Sequence, residues 1–127
     1  MIVLIDSDIL IEASKGRNEG VISALRALVA PGSTMLYSPV NAAEIWAGAR
    51  PYEFEATTKL FLKLSCVQMD YAIGELAGEF LRRYAKSHSL EVPDALIAAS
   101  AVKSRALLWT QNRKHYPMPE LTFYSPK

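Results

Sequence analysis

The chain has 127 residues, 50% of them hydrophobic and 21% charged, so it can bury the core of a single domain spanning residues 1–127, which excludes a disordered protein. Fourteen basic and 13 acidic residues leave a net charge of +1, so any contact with nucleic acid has to come from a local patch. The single cysteine, Cys66, excludes an internal disulfide and a cysteine-based zinc site. We expect Cys66 to be a small buried hydrophobic residue.

The apolar stretches of the chain are short. None approaches the roughly 18 residues of a membrane span, and no positively charged segment precedes the N-terminal apolar run as it would in a signal peptide. We therefore expect a soluble, cytoplasmic protein that does not contact the membrane.

The chain opens on an apolar run that ends in acids. Residues 2–5, Ile-Val-Leu-Ile, show no alternation, which is typical of a strand buried on both faces, and Asp6 and Asp8 follow directly. In open α/β sheets, sites are built at this end of the strands. A carboxylate at the edge of a core needs a hydrogen-bond donor or a cation, so we expect to find one of the two next to Asp6.

Helical and extended patterns alternate along the rest of the chain. Apolar spacing, capping residues and prolines predict helices at 7–14, 19–29, 39–49, 54–64, 70–84 and 95–104, the last opened by Val92-Pro93-Asp94. Further strands are predicted at 34–37, 66–69 and 106–110, with an edge strand at 121–124. Such alternation implies an α/β fold with a parallel sheet covered on both faces by right-handed crossovers.

Four acids can be placed on this scheme. Asp6 and Asp8 leave the first strand, Glu44 lies in the helix after the second, and Asp94 heads the helix before residues 106–110. If they converge at one end of the sheet, they form a like-charge cluster that repels itself unless a cation or a proton is present. Divalent Mg²⁺ or Mn²⁺ suits an all-oxygen site of this kind.

Four segments resemble the landmarks of a known family. They are LIDSDIL at 4–10, NAAE at 41–44, PDALIAA at 93–99 and WTQNRKHY at 109–116. Each is weak alone, but together, in this order and spacing from residue 1 to about 118, they resemble PIN-domain ribonucleases, and most closely the VapC toxins of toxin and antitoxin pairs. The resemblance implies a PIN-like three-layer sandwich with a central, mostly parallel sheet of four or five strands.

The resemblance also implies a chemistry, that of a metal-dependent endoribonuclease. Asp6, Glu44 and Asp94 match the acidic positions most characteristic of the family, which bind one or two Mg²⁺ or Mn²⁺ ions that activate water for attack on an RNA phosphodiester. Asp8 is a further candidate: it could bind the metal itself or only contact the residues that do. Asn112 stands where the family often has a fourth acid, and its amide oxygen could position a water or touch the metal weakly.

Partners follow from the same resemblance: an RNA substrate, a cognate antitoxin whose C-terminal segment occupies the groove near the acids, and a second copy in a homodimer. Two alternatives stay open. Asp6-Ser7-Asp8 is also an Asp-x-Asp of the haloacid-dehalogenase-like phosphatases, although Leu10 stands where those usually have Thr or Val and no late adjacent acidic pair exists. The other is a non-catalytic binding module whose acids are structural. Whether a divalent ion binds at all distinguishes this module from the nuclease.

Several residues near these motifs admit either a functional or an ordinary interpretation. His115 could be a general acid or a phosphate contact, but a loop histidine is more often plain surface. Arg113 and Lys114 could hold RNA phosphates or simply be solvated. Trp46 and Tyr52 could stack on bases or pack against the core.

The acid cluster also predicts the effect of Asp6→Asn on the metal-free protein. If repulsion within the cluster dominates, the variant should be as stable as wild type or more so. If buried donors hold Asp6 instead, the amide would face those donors and cost about 1 to 3 kcal/mol. We expect the first of these outcomes.

Overall fold

The structure is a computed structural model, and it describes residues 1–126. Within them, four strands and six α-helices alternate: β1 (Ile2–Ile5), α1 (Ser7–Lys15), α2 (Glu19–Leu28), β2 (Thr34–Tyr37), α3 (Pro39–Gly48), α4 (Phe54–Leu62), β3 (Ser65–Cys66), α5 (Tyr71–His88), α6 (Val92–Lys103) and β4 (Leu107–Trp109). No helix of this part of the chain is both long and apolar enough to cross a membrane.

The strands form one sheet in the order β3-β2-β1-β4, and every neighbouring pair is parallel. This confirms the predicted parallel sheet, with four strands. From β1 the chain steps outward to β2 and β3 and then crosses back to place β4 on the other side of β1. The switch in direction puts a crevice at the carboxyl ends of β1 and β4, where ligands bind in open α/β sheets.

The central strand β1 is covered on both faces, as its sequence predicts. Val3, Leu4 and Ile5 are all fully buried and alternate between two cores. Val3 and Ile5 pack with residues of α1, α2 and α3, whereas Leu4 packs with residues of α5 and α6, among them Phe80 and Ile97. The result is the expected three-layer arrangement of helices, sheet and helices.

Most helices begin at a residue whose side chain satisfies a free backbone N–H group. Asp6 caps α1, Asn18 caps α2, Ser38 caps α3 and Asp70 caps α5. Gly16, with a φ of 64°, ends α1 in the left-handed conformation that glycine adopts most easily. These local signals explain why the starts of the four capped helices were predictable to within a residue. The helix α6, which has no side-chain cap, begins at Val92, three residues before the predicted start.

The predicted edge strand at 121–124 is wrong. Only one residue there, Phe123, forms an isolated parallel bridge, to Leu108. Leu108 donates its N–H to the carbonyl of Thr122 (2.9 Å) and accepts from the N–H of Tyr124 (2.8 Å). Pairing on this side of β4 therefore consists of a single bridge and does not extend into a regular strand.

The third strand is also shorter than predicted. Residues 66–69 were expected to be extended, but β3 consists of Ser65 and Cys66 alone, both exposed at the edge of the sheet. The expectation that Cys66 is buried is therefore wrong, because an edge strand of two residues offers it no covering element.

Candidate active site

Asp6 lies at the carboxyl end of β1 and is 7% exposed. Its Oδ1 accepts the backbone N–H of Ser7 (2.8 Å), and its Oδ2 accepts the hydroxyls of Thr110 (2.8 Å) and Tyr116 (2.8 Å). Donors from three parts of the chain thus hold the carboxylate. These buried donors favour the second of the two outcomes for Asp6→Asn, a loss of stability in the metal-free protein, over the one expected from repulsion.

Tyr116 supplies one of those donors from a buried position. Its side chain is 4% exposed. Burial, followed by the neighbouring charge of Asp6 and the hydrogen bond to it, raises the pKa of the Tyr116 phenol far above its usual range. The phenol therefore stays protonated and serves as a permanent donor to Asp6.

Asp8 joins the end of β1 to the end of β4. Its Oδ2 accepts the backbone N–H of Gln111 (2.9 Å) and lies 3.3 Å from the Thr110 hydroxyl, and its Oδ1 accepts the N–H of Ile9 (2.7 Å). Burial first, and the charge of Asp6 second, raise the pKa of the Asp8 carboxyl. Backbone N–H groups on both sides thus hold the Asp8 carboxylate in place next to Asp6.

Glu44 is linked to the same site through a hydrogen-bonded chain. It lies on α3, and its Oε1 accepts the hydroxyl of Ser7 (2.7 Å). That hydroxyl in turn accepts from Nδ2 of Asn41 (2.9 Å), which also lies 3.5 Å from Oδ1 of Asp6. Glu44, an exposed residue in the middle of α3, is thereby connected to the buried carboxyl end of β1.

Asp94 lies in the first turn of α6 and is half-buried. Burial raises the pKa of its carboxyl most, and the negative charges of Asp6 and Glu44 raise it further, while a positive charge on His115 acts in the opposite direction. The fold therefore brings Asp6, Glu44 and Asp94 within electrostatic reach of one another. Within residues 1–126, however, no three His, Cys, Asp or Glu side chains stand close enough to share one ion.

No lysine or arginine of residues 1–126 forms an ion pair with this cluster. In the part of the chain that the structure describes, each Lys or Arg that forms an ion pair does so with Glu12, Glu53, Glu55, Glu79 or Glu120, and none pairs with Asp6, Asp8, Glu44 or Asp94. Carboxylate oxygens that no lysine or arginine pairs with fit a hard divalent cation. The chemistry of the donor set thus suits Mg²⁺ or Mn²⁺.

Asn112 follows β4 at the rim of the site. Its backbone N–H donates to the Thr110 hydroxyl (3.0 Å), and its side chain is exposed. The hydroxyl of Thr110 thus accepts from Asn112 while it donates to Asp6, which fixes the course of the chain beyond β4. The structure places Asn112 beside the cluster without a contact between its amide and the acids.

Arg113 is held away from a role as a phosphate contact. Its guanidinium donates to the carbonyl of Tyr124 (3.3 Å) and to the hydroxyl of Ser125 (2.6 Å), and it lies over the Phe123 ring, 5.0 Å from the ring centroid. These contacts attach it to the C-terminal segment. Lys114 and His115 are exposed.

Comparisons with known proteins identify the family. Residues 3–121 match the family model of the PIN domain. The chain is 32% identical over 120 residues to Ribonuclease VapC19 of Mycobacterium tuberculosis, which covers 93% of this chain and 95% of that protein. It is 33% identical over 121 residues to Ribonuclease VapC10 of the same organism, with 93% and 88% covered. The chain belongs to the PIN-domain family, among the VapC proteins.

Solved structures share the fold of this PIN domain. A chain in the structure of VapBC2 from Rickettsia felis bound to a DNA fragment from their promoter superposes with a TM-score of 0.84, at 21% identity and with 98% of both chains covered. For VapBC-1 from nontypeable Haemophilus influenzae, the TM-score is 0.81 at 22% identity, again with 98% of both chains covered. The PIN-like sandwich is thus confirmed, and the haloacid-dehalogenase alternative is set aside.

Sequence reasoning missed the side chains that hold the acids of the PIN domain in place. They are Ser7, Asn41, Thr110 and Tyr116, which are buried and make their hydrogen bonds to the acids or to one another. All four lie inside or beside the segments that carry the family resemblance. Their place inside those segments was the available signal, but most of their partners lie far away along the chain.

Of the two aromatic residues that follow Glu44, Trp46 packs against other rings and Tyr52 is exposed. Trp46 packs against Phe54 (5.6 Å between ring centroids) and stacks on Phe61 (6.4 Å), although 39% of it remains exposed. Tyr52 is 81% exposed. The packing interpretation therefore describes Trp46.

Proposed function

We propose that this PIN domain is a metal-dependent endoribonuclease toxin that a cognate antitoxin neutralises. The observation that carries the proposal is the convergence of three acids near the carboxyl end of β1. Glu44 is joined to Asp6 through hydrogen bonds to Ser7, and the charges of Asp6 and Glu44 raise the pKa of Asp94. In the described residues they form no ion pair with a lysine or arginine, and the chain is about one third identical to two proteins named ribonucleases. That combination favours nuclease chemistry over a module with purely structural acids.

Asp6, Glu44 and Asp94 are the residues that would hold Mg²⁺ or Mn²⁺, with Asp8 as an additional carboxylate. Such an ion, when bound, would lower the pKa of water and offset the charge of a phosphodiester. Within residues 1–126 no three of these side chains stand close enough to share one ion, so Glu44 and Asp94 would have to move toward Asp6 to bind it together.

The residues around the acids have separate roles in the proposed site. Thr110 and Tyr116 fix Oδ2 of Asp6, so Asp6 cannot turn away from the crevice. Asn112 offers an amide oxygen that can accept from a water at the rim. His115 lies near Asp94, where its imidazole can meet the phosphate backbone of an RNA.

The proposed antitoxin has a groove to occupy next to the acids. A depression of about 70 Å³ lies between α1, α3 and the start of α4, and Glu44, Ile11 and Ile45 are among its lining residues. An apolar segment bound there would cover Glu44. The structures of VapBC proteins with the same fold support such a partner.

We also propose that the protein forms a homodimer and is located in the cytoplasm. Sedimentation equilibrium tests the dimer.

Cleavage of a structured RNA tests the proposal. Wild type should cut with Mg²⁺ or Mn²⁺ and stop in EDTA, Glu44→Gln should lose activity, and Glu55→Gln should keep it. Glu55 is a matched control because it is an exposed helix glutamate away from the site, paired with Lys59. Undiminished cleavage in EDTA, or equal activity of both variants, would contradict the proposal.

The ends of the products test the chemistry separately. Attack by a metal-activated water leaves a 5′-phosphate and a 3′-hydroxyl, because the RNA's own 2′-hydroxyl takes no part. Mass spectrometry of the fragments distinguishes these ends from a 2′,3′-cyclic phosphate. A cyclic product would point to a different mechanism.

A further inference from the structure

The side chain of Asn41 has only one possible orientation. Its Oδ1 accepts both the backbone N–H of Ser38 (2.9 Å) and the Ser38 hydroxyl (2.7 Å). Because a backbone N–H can only donate, the amide oxygen must face Ser38 and the NH₂ group must face the opposite way. Ser38 and Asn41 are both 0% exposed, so bulk water does not compete for these bonds.

This orientation determines the direction of the Ser7 hydrogen bond. Nδ2 of Asn41 donates to the Ser7 hydroxyl (2.9 Å), so the hydroxyl acts as acceptor toward α3's first turn. The single proton of Ser7 is then left for Oε1 of Glu44, 2.7 Å away. The backbone N–H of Ser38 thus fixes the orientation of the Asn41 amide, and the amide fixes the direction of the Ser7 hydroxyl. This series of hydrogen bonds ends on Glu44, the one proposed metal ligand that lies on an exposed helix face.

We propose that Ser7 is a positioning residue for Glu44, with Asn41 setting the direction of its hydroxyl. The hydrogen bond keeps the Glu44 carboxylate turned toward Asp6 instead of into solvent. This inference rests on the proposed function, because it treats Glu44 as part of a divalent-metal site. Hydrogen bonds that orient a metal-binding carboxylate typically change metal affinity about 10 to 100-fold.

Titration of the purified protein with Mn²⁺ alone, in the absence of RNA, tests the role of Ser7. Ser7→Ala should weaken Mn²⁺ binding by about 10 to 100-fold, whereas Ser7→Thr, which keeps the hydroxyl, should bind as wild type does. Ser100→Ala is the matched control, because Ser100 is also a buried helix serine but donates within its own helix, to the carbonyl of Leu96 (2.7 Å). It should leave Mn²⁺ affinity unchanged.

A double-mutant cycle in EDTA tests the contact itself. Ser7→Ala and Glu44→Ala should together destabilise the protein by less than the sum of the two single losses, since each removes the same hydrogen bond. Additive losses, or wild-type Mn²⁺ affinity in Ser7→Ala, would overturn the inference while leaving the proposed function intact. If wild type itself binds no Mn²⁺, both the proposed function and this inference are overturned.

Discussion

At the scale of single residues, Asp6 is the centre of the site because it has donors on both oxygens. The sequence predicted that Asp6 needs a donor or a cation, and it predicted the acids that converge on it, since the carboxyl ends of parallel strands meet at one edge of the sheet. It did not reveal the donors. Tyr116 lies 110 residues from Asp6 and Thr110 lies 104, and no local pattern encodes contacts of that separation.

This arrangement predicts different costs for two substitutions of Asp6 in the metal-free protein. Asp6→Ala leaves the N–H of Ser7 and the hydroxyls of Thr110 and Tyr116 without their acceptor and should cost roughly 2–4 kcal/mol. Asp6→Asn should cost only about 1 kcal/mol, because its oxygen can face the N–H of Ser7 while the two hydroxyls turn to accept from its NH₂ group. Urea unfolding in EDTA measures both, and equal losses would refute this description of the donors.

Asn112 provides a second prediction at this scale. If its side chain stands at a metal-facing fourth position, Asn112→Asp should tighten divalent binding by adding a charge, and Asn112→Ala should reduce activity less than loss of Asp6 does. Calorimetric titration of both variants with Mn²⁺ is the measurement. An unchanged affinity in Asn112→Asp would place the residue outside the coordination sphere.

At the scale of elements, local signals determined most of what the sequence predicted correctly. In the structure, Asn18, Ser38 and Asp70 cap three helices whose starts were predicted to within a residue. The failures occur where pairing between distant segments decides the outcome, as in the two-residue strand β3 and the single bridge at Phe123. Strand length depends on the neighbour that a segment finds, which its own residues do not specify.

One contact between elements predicts a pH dependence. Lys15 at the end of α1 donates to Glu53 (2.8 Å), and this hydrogen bond, followed by one from the backbone N–H of Arg50, lowers the pKa of the Glu53 carboxyl. A lowered folded-state pKa contributes stability above the ordinary pKa of glutamate, and that contribution is lost as the pH falls through the folded-state value.

Wild type should therefore be more stable than Glu53→Gln at neutral pH, and the difference should shrink as the pH falls below about 4. Unfolding free energies measured across this range give the comparison, with Glu55→Gln as the surface control. A difference that is the same at every pH would show that the Glu53 charge contributes nothing through Lys15.

At the scale of the whole molecule, the order of the strands explains why the site lies where it does. The first strand is central and buried on both faces. Its neighbour β2 leads into α3, which carries Asn41 and Glu44, and its neighbour β4 leads into the segment with Thr110 and Tyr116, while Asp94 heads the helix before β4. The sequence predicted the sheet and its three layers because strands alternating with helices allow few topologies. The mutual placement of Glu44, Ser7 and Asn41 could not be predicted, because it depends on the packing of α1 against α3.

The central claim is that the acids at the carboxyl ends of β1 and β4 bind a divalent cation, and thermal melts test it most directly. Binding to the native state alone raises the melting temperature, so Mn²⁺ should stabilise wild type relative to EDTA. Asp94→Asn should lose most of this rise, whereas Asp70→Asn, which changes a helix cap outside the site, should keep it. A rise of the same size in Asp94→Asn, or no rise in wild type, would contradict the account.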